Sequence, residues 1–190
     1  MFDKMDECSE AEVQRLKPLV SAQRREQAMR YKHTFGQYCC LKSWLMLDEL
    51  LCHNRGAFVF QYNKYGKPFL SATGQDLKDK LPYFSISHCK DGIAVAIDDE
   101  PIGIDIESIR TAQADLIVRV MNDEEQQLIY EAAEPDIVFT KLWTQKEAIV
   151  KAQGTGIESF EQLAGARNTE YEIQTFESKK YIYSIAFKQH

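Results

Sequence analysis

Glu100-Pro101-Ile102-Gly103-Ile104-Asp105-Ile106-Glu107-Ser108 divides this chain of 190 residues near its middle and reads as a β-strand opened by a proline. Strand alternation puts Ile102, Ile104 and Ile106 on one face and Gly103, Asp105 and Glu107 on the other. One face belongs to a core and the other is acidic. The two carboxylates stand roughly 6.5 Å apart at Cα, close enough for both to reach one hard cation, and Gly103 leaves space beside them. A solvated strand face is the ordinary account of such a pair.

Working back from this strand, Tyr83 to His88 and Ile93 to Ile97 read as a hairpin around Cys89-Lys90-Asp91-Gly92. Before it lies a turn-rich stretch, Tyr62-Asn63-Lys64-Tyr65-Gly66-Lys67-Pro68, and an aromatic strand candidate, Ala57-Phe58-Val59-Phe60. From Ala22 to Cys52 the apolar residues recur at helical steps, and Gly36 is expected to separate two helices. Working forward, Asn122-Asp123-Glu124-Glu125 has the form of an N-cap with an acidic first turn, for a helix running to about Ala133. Pro135 suits the first turn of another helix ending near Gly154, and Tyr171 to Phe176 with Tyr181 to Phe187 alternate as a second hairpin. Helices followed by strands thus occur twice. The expected fold class is α+β, a pseudo-symmetric pair of similar halves over 1–100 and 101–190.

The composition, 44% hydrophobic and 27% charged with no long polar tract, is that of an ordered globular chain. A formal charge of −6 weighs against nucleic acid as a partner. Lysines and arginines are nevertheless dense between Arg15 and Lys42, a region that suits an anionic partner. Apolar runs are short and the N-terminus is acidic, so neither a membrane span nor a signal peptide is expected, and a cytoplasmic location follows. Five cysteines, at 8, 39, 40, 52 and 89, lack CxxC spacing and read as reduced packing residues.

Phe139-Thr140-Lys141-Leu142-Trp143-Thr144-Gln145-Lys146-Glu147-Ala148-Ile149-Val150-Lys151 is a second charged constellation. At about 100° per residue, Phe139, Leu142, Trp143 and Val150 define a buried arc, and Lys146 falls inside it. A lysine there must meet an anion or line a wet cleft. Glu147 and Lys151, four apart, share a face, which an ordinary surface ion pair would explain; it would not explain Lys146. His88 shares a strand face with Phe84 and Ile86, as a core histidine would, yet its place at the strand end after Ser85 and Ser87 suits a phosphate contact. An acidic strand beside a lysine-glutamate helix implies divalent-metal chemistry on phosphate. A Mg²⁺-dependent nuclease shares those residues but calls for a basic cleft.

Three segments, Phe84-Ser85-Ile86-Ser87-His88, Ile102 to Glu107 and Leu142 to Lys151, resemble in order the signature of 4′-phosphopantetheinyl transferases of the surfactin-synthetase-activating type. The third is the most specific, similar to Trp-Ser/Thr-x-Lys-Glu-Ala/Ser-x-x-Lys at each fixed place; Tyr65-Gly66-Lys67-Pro68 and Gly154-Thr155-Gly156 are weaker matches. The resemblance implies two halves with coenzyme A and Mg²⁺ between them, and transfer of phosphopantetheine from coenzyme A to a serine of an acidic apo carrier protein by a monomer. It implies that Asp105, Glu107 and Glu147 hold Mg²⁺, with Glu147, Lys151 and His88 catalytic. Lys67, Pro68, Ser87, His88 and Lys151 would contact coenzyme A. Members of this family carry a basic residue early in the second N-terminal helix for the 3′-phosphate. Cys39 or Cys40 falls at that place here, and Lys42, Lys32 or Arg30 is expected to substitute. Lys146 is expected to orient the carboxylates.

Overall fold

A computed structural model describes residues 1–51, 58–72, 81–156, 163 and 170–188. In chain order the elements are β1 (Phe2–Lys4), α1 (Glu10–Leu16), α2 (Ala22–Met29), α3 (Thr34–Leu50), β2 (Phe58–Tyr62), β3 (Pro68–Ala72), β4 (Tyr83–Cys89) and β5 (Gly92–Asp98). The second half follows with β6 (Ile102–Ser108), α4 (Ala114–Val120), α5 (Asp123–Glu131), α6 (Pro135–Gln153), β7 (Tyr171–Glu177) and β8 (Tyr181–Lys188).

Local chemistry sets the helix ends. Ser9 and Ser21 cap α1 and α2 by accepting from the backbone of Glu12 and Arg24. Asn122 and Glu125 form a reciprocal capping box on α5. Pro135 opens α6, and Gly154 closes it at φ 73° in the left-handed region that glycine adopts without a Cβ penalty. The break between α2 and α3 lies at residues 30–33 and not at Gly36, which sits in the first turn of α3. There an ideal Cβ would stand 2.6 Å from the Tyr31 ring, so this glycine answers packing rather than a chain break. The short helix α4 has no counterpart in the sequence reading. Cys52 and Ala57 lie outside the described residues.

The strand order repeats. The first three-stranded sheet runs β1-β5-β4 and the second β6-β8-β7; in each, the opening strand pairs with the last strand of the later hairpin, and every pairing is antiparallel. A separate β2-β3 hairpin joins the first half. Helix α3 covers the first sheet and α6 lies across β6 and β8 of the second. The first core gathers Tyr38, Leu41, Leu47, Phe84, Ile93 and Val95; the second gathers Ile117, Val120, Ile129, Phe139 and Trp143.

Gly103 decides how closely α6 approaches β6. A Cβ at this residue would lie 1.9 Å from the Ala148 carbonyl oxygen and 2.5 Å from the Ala152 amide nitrogen, so helix and strand are in backbone contact there. Side chains rather than a ladder join the two sheets along β4 and β6. The amides of Ile104 and Ile106 donate to Ser85 Oγ at 3.0 Å and Ser87 Oγ at 3.3 Å. Where β4 meets β6 the seam between the halves is therefore polar and carries hydroxyls beside the acidic face of β6, while Cys89 and Ala94 cluster with Ile104 and Ile106 in an apolar contact across the same boundary.

Candidate active site

Ser87, Asp105 and Lys151, from β4, β6 and α6, meet at this seam. Lys151 Nζ donates to Asp105 Oδ1 at 2.7 Å and to Ser87 Oγ at 2.9 Å, while Ser87 Oγ donates to Asp105 Oδ1 at 2.8 Å. Lys151 therefore pairs with the strand carboxylate of its own half and reaches across the seam to Ser87, and is not a surface i,i+4 pair. Asp105 is only 4% exposed, and its second oxygen, Oδ2, is buried with no hydrogen-bond partner. A buried, unsatisfied carboxylate oxygen is costly unless something positive reaches it.

Glu107, on the same strand face, and Glu147, on α6, add charge of the same sign. Desolvation pushes the Glu147 carboxyl up to about 7, and the neighbouring Asp105 carboxylate pushes the same way, against the opposing pull of Lys151. Glu107 is raised by desolvation and then by Asp105, with Arg110 and Lys151 opposing. Arg110 lies 4.5 Å over the Trp143 ring, and its Nε and Nη2 are buried without hydrogen-bond partners. The indole N–H of Trp143 favours the ionised form of Glu107 but lies outside hydrogen-bond geometry.

These oxygen donors fit a hard divalent cation in type and charge, and the unsatisfied Asp105 Oδ2 is a free donor for one. They are not drawn into a finished cage: among the described residues, no three histidine, cysteine, aspartate or glutamate side chains are placed to hold a metal ion together. Binding would require the carboxylates to turn towards one another.

Beyond the seam, the loop from β2 to β3 reaches over the end of α6. Asn63 Oδ1 accepts from the amides of Tyr65 and Lys67, both at 2.9 Å, and its Nδ2 donates to the Gly154 carbonyl at 2.8 Å. Lys67 Nζ donates to the carbonyl of Lys151, where the unpaired carbonyls of a helix end attract a cation. Its pKa is lowered by desolvation and then by the Lys151 ammonium. Asn63, unremarked in the sequence beyond its place in a turn, thus anchors this loop.

His88 is not a core residue. It is exposed, its ring meets Phe35 edge-on at 6.0 Å, and its pKa is lowered first by partial desolvation and then by Lys151. It opens onto a cavity of about 420 Å³ shared with Arg24, Arg30, Tyr31, Ser43 and Pro68. Arg24 is held there by the Cys40 carbonyl at 3.0 Å and by the Trp44 ring at 4.3 Å. Lys42 is elsewhere: it faces the N-terminal segment, 3.7 Å from Glu7, and lines no part of that cavity. Lys146 is buried as its place on the wheel implied, but the anion it meets is Glu125 of α5 at 2.9 Å, together with the Leu163 carbonyl at 2.8 Å.

Fold and site together define a pseudo-symmetric α+β protein with a carboxylate-lysine cleft along the seam of its halves. Residues 101–187 match the 4′-phosphopantetheinyl transferase superfamily. The chain is 30% identical over 161 residues to 4′-phosphopantetheinyl transferase psf-1 of Bacillus pumilus, covering 80% of this chain and 65% of that protein. It is 27% identical over 155 residues to 4′-phosphopantetheinyl transferase Sfp of Bacillus subtilis, covering 78% and 66%. Over 118 residues it is 32% identical to 4′-phosphopantetheinyl transferase AcpT of Escherichia coli, covering 58% and 57%. The chain is thus similar to 4′-phosphopantetheinyl transferases over most of its own length, and it spans just under two thirds of the length of the two Bacillus proteins.

Proposed function

We propose that this chain transfers the 4′-phosphopantetheine group of coenzyme A to a serine hydroxyl of an apo carrier protein, releasing 3′,5′-ADP. The observation that carries the reading is the junction of Ser87, Asp105 and Lys151 beside a Glu147 carboxyl raised to about 7, formed by the segments that resemble the family signature. Glu147 accepts the serine proton as general base, a contribution of about 10²- to 10⁴-fold. As that proton passes to Glu147, the serine oxygen bonds to the β-phosphorus and the bond to the bridging oxygen of the pyrophosphate breaks. Lys151 stabilises the charge gathering on the departing phosphate. Asp105, Glu107 and Glu147 would hold Mg²⁺, which when bound offsets the negative charge of the pyrophosphate.

Arg24 and Arg30 supply the cationic wall for the nucleotide's 3′-phosphate, His88 stands beside them as a hydrogen-bonding imidazole, and Pro68 closes one side. Carrier proteins of acidic surface suit the basic stretch from Arg24 to Lys42. Among the described residues no helix is long and apolar enough to cross a membrane, in keeping with action in the cytoplasm. The division of labour falls at Glu100-Pro101, with 1–100 chiefly binding coenzyme A and 101–190 carrying the carboxylates and Lys151.

The test is incubation of the chain with coenzyme A, Mg²⁺ and a panel of apo carrier proteins. The phosphopantetheine mass should appear on a carrier serine and 3′,5′-ADP in solution. No mass gain on any carrier would overturn the assignment.

A further inference from the structure

The buried lysine of α6 is explained neither by a surface ion pair nor by contact with the cleft. Lys146 is 3% exposed; its ammonium donates to the Leu163 carbonyl at 2.8 Å and pairs with Glu125 Oε2 at 2.9 Å. That same Glu125 oxygen accepts the Asn122 amide at 2.8 Å, and the Glu125 amide donates back to Asn122 Oδ1 at 2.9 Å. Lys146 is therefore tied to the capped N-terminus of α5, a fixed point and not a mobile side chain. Two residues on, Ala148 is fixed from another side, where its carbonyl lies against Gly103 of β6 so closely that a Cβ would be 1.9 Å away. Between these two anchors stands Glu147, turned about 100° from each by helix geometry.

We propose that Lys146 is a positioning residue that sets the rotation of α6, so that Glu147 and, one turn later, Lys151 face Asp105 and Ser87. Rotating α6 about its axis would either break the Lys146–Glu125 pair or lift Ala148 from Gly103. The first leaves a buried charge unpaired and the second opens a gap in backbone packing, both costly. The pair on α5 and the glycine on β6 hold the helix at a fixed angle, and the cleft chemistry depends on that angle through residues that touch neither anchor. This inference rests on the proposed transfer reaction for its kinetic readout, but the angle of α6 is measurable without it.

The experiment compares Lys146→Arg, Lys146→Met, Glu125→Gln and the double variant Lys146→Met with Glu125→Met, each in a Trp44→Phe background. Because the chain has 2 tryptophans, Trp143 on the same helix is then the sole tryptophan, and its emission is read by excitation at the red edge, where tyrosine does not absorb. Replacing a buried pair by apolar residues of similar volume removes the unpaired charge, so the double variant should melt above Lys146→Met, short of the parent by the Asn122 cap that Glu125 also makes. Its kcat should still fall on the order of 10²-fold, with KM for coenzyme A held, because a reacting group is displaced by about an ångström. Its Trp143 emission should shift. Lys146→Arg, which keeps a donor, should retain most of kcat, and Glu125→Gln, which keeps an acceptor, should lose part of it at unchanged KM.

A double variant that regains kcat together with stability would overturn the proposal, as would parental emission and kcat in Lys146→Met. If the double variant does not fold, parental kcat in Glu125→Gln has the same force. If the parent itself transfers nothing, the proposed reaction fails, and the Trp143 emission of the same variants still decides whether Lys146 sets the helix.

Discussion

In the first half, α3 presents Tyr38, Cys39, Leu41 and Leu47 to its sheet and buries no lysine or glutamate. In the second half, α6 lies on a sheet of the same strand order, but it buries Lys146 and carries Glu147 and Lys151 to the seam. The opening strands differ in the same sense: β1 has 3 residues, whereas β6 has 7 and includes Gly103, Asp105 and Glu107. One strand order thus serves a conventional apolar core in one half and a charged cleft in the other. The physical difference is the distance at which helix meets strand. Gly103 brings α6 into backbone contact with β6, so short carboxylates on the strand reach the lysine of the helix. The first half contributes hydroxyls from β4 and the arginine-histidine cavity.

The most severe break in this arrangement is Gly103→Val. Its Cβ would meet the backbone of Ala148 and Ala152, which cannot swing aside as a side chain would. Unfolding experiments should show a loss of about 3 kcal/mol or more, at the upper end of overpacking. Gly66→Ala in the first half is the control. Gly66 has φ 83° with nothing within 4 Å of a built Cβ, so only backbone strain of about 1–2 kcal/mol is expected. Equal losses at the two sites would refute the account of close approach.

Glu147→Gln comes next and separates chemistry from stability. Transfer should fall by about 10²- to 10⁴-fold, the range of a lost general base. Without divalent cation at pH 8, its melting temperature should equal or exceed that of the parent, since a desolvated carboxylate beside Asp105 and Glu107 has been removed. Near-parental turnover would take Glu147 out of the base role.

Much of this was legible because periodicity carried it. The alternation of Ile102, Ile104 and Ile106 against Gly103, Asp105 and Glu107 gave the strand and its acidic face, and the wheel of α6 placed Lys146 inside. The partners were not legible, since nothing in the local pattern of residues 122–125 shows that Glu125 closes both a capping box and a buried ion pair. Which of Lys42, Lys32 and Arg30 shares a cavity with His88 was not legible either; of these it is Arg30. The density of basic residues does not say which face of α3 they occupy, and the face of Lys42 looks towards Glu7. Gly36 read as a break because glycine ends helices, yet the Tyr31 ring had claimed its missing side chain.

The carboxylates also impose a pH dependence on folding. The Glu147 carboxyl rises from 4.5 to about 7 on folding, so within that window the folded chain binds more protons than the unfolded one. Stability should therefore fall as pH rises from about 4.5 to about 7 and then level off for this group. His88 acts in the opposite direction. Its folded pKa lies below 6.5, so stability is regained as pH rises through the histidine range. The parent minus Glu147→Gln difference in melting temperature, taken with a chelator across pH 5 to 8, isolates the glutamate; a flat difference would show that the carboxyl is not raised. Added Mg²⁺ should stabilise the parent more at pH 8 than at pH 5, because it competes with protons for the same oxygens.

The least effect is expected from Lys42→Ala, and it sharpens the contrast between the charged faces of the first half. At 3.7 Å from a mostly exposed Glu7, Lys42 forms a loose pair worth at most about 1 kcal/mol. Its removal should leave the KM for coenzyme A close to parental. Arg30→Ala removes a cation from the cavity that also holds His88 and Arg24, at an equally modest cost to folding because its pair with Glu26 is exposed on both sides. It should raise KM for coenzyme A several-fold through loss of a charge-assisted contact to phosphate, and binding of 3′,5′-ADP should weaken in step. A rise in KM from Lys42→Ala with none from Arg30→Ala would move the 3′-phosphate to the other face of α3.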